Sequence, residues 1–357
     1  MRTRFTELVG IELPIVLAPM AGSADAVLAA AVANAGGLGS LPCAMFAADD
    51  VRREWDAFRH ATSSRSVSFN FFCHAPPDVD SARLDAWRWR LAAYYAELGV
   101  ETDRGGPSMA RTSFDEALTE VVEELAPPVV SFHFGLPAEV LVARVRATGT
   151  KVMSTATTVA EARWLVDHGC DAVIAQGIEA GGHRGMFLTD DLATQVGTMA
   201  LVPQVVYAVE VPVIATGGIA DGRGIAAALA LGADAAQIGT AFLRCPEALT
   251  GELHREALAA ASEDATALTN VFTGRPARGI VNRVMSEVGP LTAAAPPFPT
   301  AVGALMPLRA AAEGRGSTDF TPLWSGQAAR LARPLPAATL TQLLADEARQ
   351  CLEGLLV

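Results

Sequence analysis

The sequence predicts an α/β protein of the (β/α)8 TIM-barrel type. Three observations predict it. Eight short apolar runs are spaced along the 357 residues. None alternates with polar residues, as expected of parallel strands covered on both faces. Helical segments with recognisable starts and stops separate the runs. From residue 151 the pattern repeats: strand, Thr, helix, then Gly169-Cys170-Asp171-Ala172 in one unit and Gly232-Ala233-Asp234-Ala235 in another. That rhyme marks a repeated supersecondary unit, and eight strands close such a barrel. The alternative is an open doubly wound sheet. Gly222-Arg223-Gly224-Ile225-Ala226-Ala227 matches GxGxxA, but it follows a late strand. The next strand, 235–240, carries no acid at its end, where a dinucleotide fingerprint requires one.

Residues 14–20 form the first strand, which turns at Ala21-Gly22. Ser23 or Asp25 caps a helix to Asn34, and Gly36-Gly37 ends it before the second strand, 38–42. The third strand is 67–72 and the fourth 129–135. The fifth, 151–155, leads to a helix over 159–168, with Thr158 and Glu161 as a capping box. The sixth is 171–174 and the seventh 213–218. A helix from near Asp221 to before Gly232 then leads to the eighth, 233–240.

Two stretches exceed this rhythm. Between strands three and four lie a helix over 78–98 carrying Trp87, Trp89, Tyr94 and Tyr95, a Gly-Gly-Pro loop at 105–107 and a helix over 114–125. Both tryptophans are expected to pack and not to bind ligand. After strand eight, 246–323 carries helical pieces, the proline-rich 293–299 and a loop through Gly316. A last helix over 339–352, capped by Thr339, sets Leu340, Leu343, Leu344, Ala348 and Cys351 on one face. The expected organisation is a barrel, 1–245, completed by 326–357, with a smaller, mostly helical cap, 246–325, over its mouth.

Half the residues are hydrophobic and 18% are charged, so the chain can bury a large core. The net charge of −12 argues against nucleic-acid or anionic-membrane partners. Five scattered cysteines without CxxC spacing suggest reduced thiols in a cytoplasmic protein. The N-terminus carries no secretory h-region. Runs such as 26–33 are too short to span a bilayer.

In such barrels function sits at the carboxyl ends of the strands. Those ends here are Pro19-Met20, Cys43, Asn70, His133, Thr155, Gln176 with His183, Gly217-Gly218 and Gly239-Thr240. They supply hydrogen-bonding groups and glycines but no acids, so no metal site is expected. The segment 175–185 places His183 among Gly177, Gly181, Gly182 and Gly185. Glycine lets backbone approach a ligand closely, and histidine titrates nearest neutrality. Gly217-Gly218 and Gly239-Thr240 follow strands seven and eight, where these barrels bind phosphate. Singly, each could be an ordinary tight turn. Lys151, the only lysine, sits at the amino end of strand five, which disfavours Schiff-base chemistry at the mouth.

Ala18-Pro19-Met20-Ala21-Gly22, Asn34-Ala35-Gly36-Gly37-Leu38-Gly39, Asn70-Phe71-Phe72, the run 176–185, the run 215–220 and Gln237-Ile238-Gly239-Thr240 occur in that order. With Trp324-Ser325-Gly326-Gln327-Ala328-Ala329, they resemble the nitronate monooxygenase family over most of residues 11–285. The resemblance implies an FMN-dependent barrel enzyme related to a flavin-dependent enoyl-ACP reductase. It implies that Pro19 and Met20 line the flavin ring, and that Asn70 and Gln176 hydrogen-bond FMN. Gly181, Gly217, Gly218, Gln237, Ile238, Gly239 and Thr240 would hold ribityl and phosphate. His183 would be the catalytic base or a hydrogen-bonding group beside the flavin, with His133 and Phe298 on the substrate side. The best-characterised class tends to carry Tyr-Pro where this chain has Phe298-Pro299, so a phenolic donor is missing there.

The implied reaction is oxidation of small alkyl nitronates, such as propionate 3-nitronate, by O2 to a carbonyl product and nitrite, with a homodimer as the assembly to test. Two alternatives stay open. One is an FMN-dependent NAD(P)H reductase of quinones or enoyl thioesters. The other is a flavin-free phosphate-binding barrel.

Overall fold

The structure is a computed structural model that describes residues 1–78, 80–101 and 113–354. It begins with a short helix, α1 (Arg4–Val9), then β1 (Ile15–Leu17), α2 (Ala26–Asn34), β2 (Gly39–Pro42), α3 (Ala48–Ala61) and β3 (Val67–Phe72). Two helices, α4 (Ser81–Leu98) and α5 (Glu116–Leu125), precede β4 (Val129–His133). The chain continues through α6 (Glu139–Ala147), β5 (Lys151–Ala156), α7 (Val159–Asp167) and β6 (Ala172–Gln176). The two-residue β7 (Gly182–His183) follows, then α8 (Thr198–Ala208), β8 (Val213–Thr216), α9 (Gly222–Ala230) and β9 (Ala235–Ile238). Beyond lie α10 (Glu252–Ala260), β10 (Thr266–Thr269), β11 (Ala277–Ile280), α11 (Arg283–Val288), α12 (Val302–Glu313) and α13 (Ala337–Gly354).

Eight parallel strands run in the order β1-β9-β8-β6-β5-β4-β3-β2. A parallel bridge from Val16 to Leu38 joins the two outer strands, so the sheet closes. The strands are buried along almost their whole length, which is why they read as unbroken apolar runs. Phe5 of α1 is fully buried and plugs the amino-terminal end against Val16, Leu38, Met153 and Ile214.

Local chemistry sets the helix ends. Asp25, not Ser23, caps α2, accepting from the N–H groups of Val27 and Leu28. Thr158 caps α7 by accepting from Glu161 N–H at 3.2 Å. Glu161 does not complete the capping box: its carboxylate turns inward to Thr157, Phe187 and Leu188. The last helix starts at Ala337, two residues before Thr339, because the Glu247 carboxylate accepts from Ala337 N–H at 3.0 and 3.1 Å.

A second apolar core joins α4 to the residues after β9. Trp87, Leu91 and Tyr95 pack with Val271, Leu305 and Leu308. Trp87 Nε1 donates to Ala301 O at 3.2 Å and Tyr95 Oη to Ala304 O at 2.5 Å. Trp89 points the other way and is 79% exposed, so the packing expected of both tryptophans holds only for Trp87. The expected Gly-Gly-Pro loop at 105–107 lies outside the described residues. The region after strand eight is not helical throughout: β10 and β11 pair antiparallel there, and β7 adds to β11 through Ala277 opposite His183. All five cysteines are free thiols. Among the described residues no helix is long and apolar enough to cross a membrane.

Helix α13 seals the barrel wall against α9. Gly222 opens α9 where its N–H meets Glu347 Oε2 at 3.1 Å. A Cβ added at Gly222 would lie 2.2 Å from Glu347 Cβ and 2.5 Å from Ala348 N. Gly222→Ala is therefore expected to destabilise the protein by about 1–3 kcal/mol through overpacking, read as a lower urea midpoint at unchanged m-value.

Candidate active site

The segment after β6 is clamped from beneath by one buried cation. Arg184 has no solvent exposure. Its Nη1 donates to Gly177 O at 2.7 Å, Nη2 to Gln176 O at 2.8 Å and Nε to Gln195 Oε1 at 3.0 Å. Gln195 Nε2 donates to Thr157 Oγ1 at 2.9 Å. Thr157 donates from both N–H and Oγ1 to Glu161 Oε2 at 2.7 Å. Glu161 Oε1 accepts from Phe187 N–H at 2.6 Å and Leu188 N–H at 3.3 Å. Burial first, then the Arg278 charge, pushes the Arg184 pKa down to about 10, so it stays a cation at neutral pH.

His183 stands on this clamp. The segment that reads as a glycine loop is, at Gly182–His183, a strand paired with β11. The His183 carbonyl accepts from Gln176 Nε2 at 3.0 Å and from His133 Nε2 at 3.2 Å. Gln176 Oε1 accepts from Gly185 N–H at 2.8 Å. A carbonyl only accepts, so His133 carries its proton on Nε2, and Nδ1 accepts from Thr155 Oγ1 at 3.0 Å. Burial, with the Arg275 charge second, pushes the His133 pKa down to about 3, so the ring is neutral. His133 also lies 5.8 Å from the Phe72 ring and 4.5 Å from Phe134.

Around the His183 imidazole the wall is aromatic. Its centroid lies 5.4 Å from Phe298, 5.4 Å from Trp324, 6.1 Å from Phe134 and 6.2 Å from Phe72. His183 Nε2 is 3.0 Å from Thr273 Oγ1. Phe298 faces His74 as well, at 4.9 Å. The chain has three tyrosines. Tyr94 bonds Glu287, Tyr95 bonds Ala304 and Tyr207 is exposed, so none supplies a phenol here.

Glycine backbones converge beside this wall. A Cβ at Gly181 would lie 2.5 Å from Gly326 N, and one at Gly326 would lie 2.9 Å from Glu179 O. One at Gly239 would lie 3.2 Å from Ala18 Cβ and 3.6 Å from Met20 Sδ. Gly217 and Gly218 take φ of 116° and 71°, where other residues are strained. Gly326 N–H donates to Thr240 Oγ1 at 2.9 Å. The one-turn helix Thr240–Arg244 has no side-chain cap. By contrast, Glu179 caps α8 through Thr198 N–H and Asp221 caps α9. The uncapped turn, with Gly218 on the neighbouring strand end, suits a phosphate group: it offers N–H donors and small residues. Asn70 lies in the second half of β3, its Nδ2 donating to Ser131 Oγ at 2.9 Å. Pro19 and Met20 follow β1, whose Val16 and Leu17 pair with Gln237 and Ile238. Asn70, Gln176, Gly217, Gly218 and Gln237 to Thr240 thus lie at or next to the carboxyl ends of the barrel strands, Gly181 and His183 on the segment after β6, and Phe298 comes from the region between α11 and α12. Among the described residues no His, Cys, Asp and Glu cluster could hold a metal ion.

The family model described as nitronate monooxygenase matches residues 2–347. The chain belongs to the nitronate monooxygenase family. A nitronate monooxygenase from Pseudomonas aeruginosa is 43% identical over 98% of this chain and 100% of its own length. Nitroalkane oxidase from Streptomyces ansochromogenes superposes with a TM-score of 0.89 at 41% identity, covering 99% of this chain and 100% of that one. FabK from Thermotoga maritima gives 0.75 at 29% identity, covering 100% and 99%.

Several site residues escaped the sequence reading. Phe72 and Trp324 lie within motifs shared with the nitronate monooxygenase family, but nothing local marks them as neighbours of His183. Thr273, Phe134 and His74 carry no sequence signal at all.

Two outcomes follow from the clamp. Arg184→Met strands two carbonyls and the Gln195 amide oxygen, so the protein is expected to lose about 2–4 kcal/mol of stability in denaturant titration. His133 is neutral in the fold down to about pH 3, whereas an unfolded histidine takes its proton near pH 6.5. The unfolded state therefore binds the extra proton between those values. Stability should fall as pH drops through that window, by about 1.4 kcal/mol per pH unit from this group. Unfolding free energies from urea titrations between pH 6 and 4.5 should show a slope shallower by about that amount in His133→Gln.

Proposed function

We propose that this protein is an FMN-dependent oxidoreductase that converts alkyl nitronates, with O2, to carbonyl products and nitrite. The observation that carries the reading is the juxtaposition of the His183 imidazole, clamped at the barrel mouth, with an uncapped, glycine-lined phosphate cradle. Gly218, Gly239 and Thr240 would hold the phosphate, and Gly181, Gly217, Gln237 and Ile238 the ribityl chain. Pro19 and Met20 would back the ring. Asn70 and Gln176 would hydrogen-bond it; each Gln176 amide end keeps one further donor or acceptor beyond those described. Bound FMN supplies the electron acceptor, and dioxygen the terminal oxidant.

The protein's own part is to hold substrate against an aromatic wall and to handle one proton. His183 would take the α-proton of a neutral nitroalkane, or hydrogen-bond the nitronate where the proton has already left. His133 and Phe298 would bound the substrate side. We further assign the barrel to 1–245 with 326–357, the substrate-side cap to 246–325, and the protein to the cytoplasm, where its free thiols stay reduced.

Anaerobic mixing of FMN-loaded protein with propionate 3-nitronate is expected to change the flavin absorption, and air should restore it. An unchanged spectrum, with rapid bleaching by NADH or NADPH, would move the reading to a reductase of quinones or enoyl thioesters. Absence of FMN uptake would leave a flavin-free phosphate-binding barrel. His183→Asn is expected to retain FMN and to lose about 100- to 10,000-fold in kcat/KM on neutral nitroalkanes; unchanged turnover would remove His183 from the chemistry.

A further inference from the structure

We infer that Arg275 is a specificity-determining residue: its guanidinium, left without a carboxylate partner beside the aromatic wall, makes the substrate side prefer a small planar anion to a neutral molecule of the same shape. The inference rests on the reading that this wall bounds the substrate.

Arg275 lies on the turn that joins β10 to β11, and this turn meets the His183 segment at three points. Thr273 Oγ1 is 3.0 Å from His183 Nε2, Pro276 O accepts from Arg184 N–H at 2.9 Å, and Ala277 pairs with His183 between β11 and β7. The Arg275 guanidinium lies 3.9 Å from the Phe134 ring centroid. That ring belongs to the wall: it is 6.1 Å from His183, 5.5 Å from Phe298 and 4.9 Å from Phe72. The cation therefore stands against the same ring that the imidazole meets.

The donors of Arg275 meet no negative group. Nη2 donates to Met186 O, and Nε is buried with no hydrogen-bond partner among the described residues. A carbonyl and a phenyl face attract a cation but do not neutralise it. Two carboxylates, Asp190 and Glu161, act on it only from beyond ion-pair distance. Asp190 is exposed, and Glu161 is already taken by Thr157, Phe187 N–H and Leu188 N–H. The two neighbouring buried arginines add to the imbalance. Arg184 donates to Gln176 O, Gly177 O and Gln195 Oε1, and Arg278 to Ile178 O and Thr266 Oγ1, all neutral acceptors. In a chain of net charge −12, this region thus reverses the sign. Burial pushes the Arg275 pKa down to about 10, so the group stays charged at neutral pH. A positive charge in a pocket of low dielectric favours an anion over its neutral isostere. A nitronate is planar and spreads its negative charge over two oxygens, whereas the parent nitroalkane is uncharged. The two are close in shape, so an aromatic wall alone sorts them poorly, and the guanidinium supplies the difference.

The test compares propionate, which matches ethyl nitronate in size and charge, with its neutral isostere propionamide. Each is titrated by calorimetry into FMN-loaded protein at neutral pH. The wild type is expected to bind propionate at least about tenfold more tightly than propionamide. Arg275→Lys, which keeps the charge, is expected to keep most of that preference, and Arg275→Gln to lose it. Equal binding of the two compounds by the wild type would overturn the inference without any variant. So would an unchanged preference in Arg275→Gln. Loss of FMN uptake by folded Arg275→Gln would assign the cation to the cofactor and overturn it as well. A preference for propionate that disappears in Arg275→Gln, in a protein that oxidises no nitronate, would support the assignment and overturn the reading of the activity instead.

Discussion

The candidate active site hangs on the guanidinium of Arg184. Burying a cation is unfavourable unless its donors are met, and here three acceptors meet them: Gln176 O, Gly177 O and Gln195 Oε1. The clamp acts on consecutive residues. Arg184 is fixed through its side chain, His183 through a carbonyl with two donors, and Gly185 through its N–H to Gln176. Three neighbouring stretches of backbone are thereby tied to β6 and β4, and the imidazole is carried on a rigid base. Glu161 extends the arrangement to Phe187 and Leu188, so a residue that local pattern assigns to a helix cap serves the active-site segment instead.

Electrostatics divides the labour among the helix starts at the mouth. Each start concentrates unpaired N–H groups and positive potential. Several of them are answered internally: α2 by Asp25, α7 by Thr158, α8 by Glu179 and α9 by Asp221. The turn at Thr240 is not answered by a side chain. Around that turn Gly181, Gly239 and Gly326 bring backbone within contact distance of their neighbours. The neighbouring aromatic wall of Phe72, Phe134, Phe298 and Trp324 adds no phenol.

What the sequence made legible was short in range. Eight apolar runs, the Thr158 cap and the glycines after strands seven and eight are patterns within a dozen residues, and each lies where the reading puts it. The strand at Gly182–His183 was not legible, because two residues show no alternation and their partner comes from β11. The early start of α13 depends on Glu247, ninety positions away. Thr273 and Trp324 reach His183 only through the tertiary fold. Trp89 misled for the opposite reason: a large apolar side chain is usually buried, and only the position of α12 decides which side of α4 faces inward.

The attachment of α4 to the second core has a bearing on synthesis. Trp87 and its acceptor at Ala301 are 214 positions apart. A ribosome adding about 5–20 residues per second would need about 10–40 seconds to cover that interval. Throughout it, the apolar face of α4 is outside the exit tunnel without the residues that bury it. The nascent chain thus carries the uncovered apolar face of α4, with Trp87, Leu91 and Tyr95, past the completion of the barrel strands.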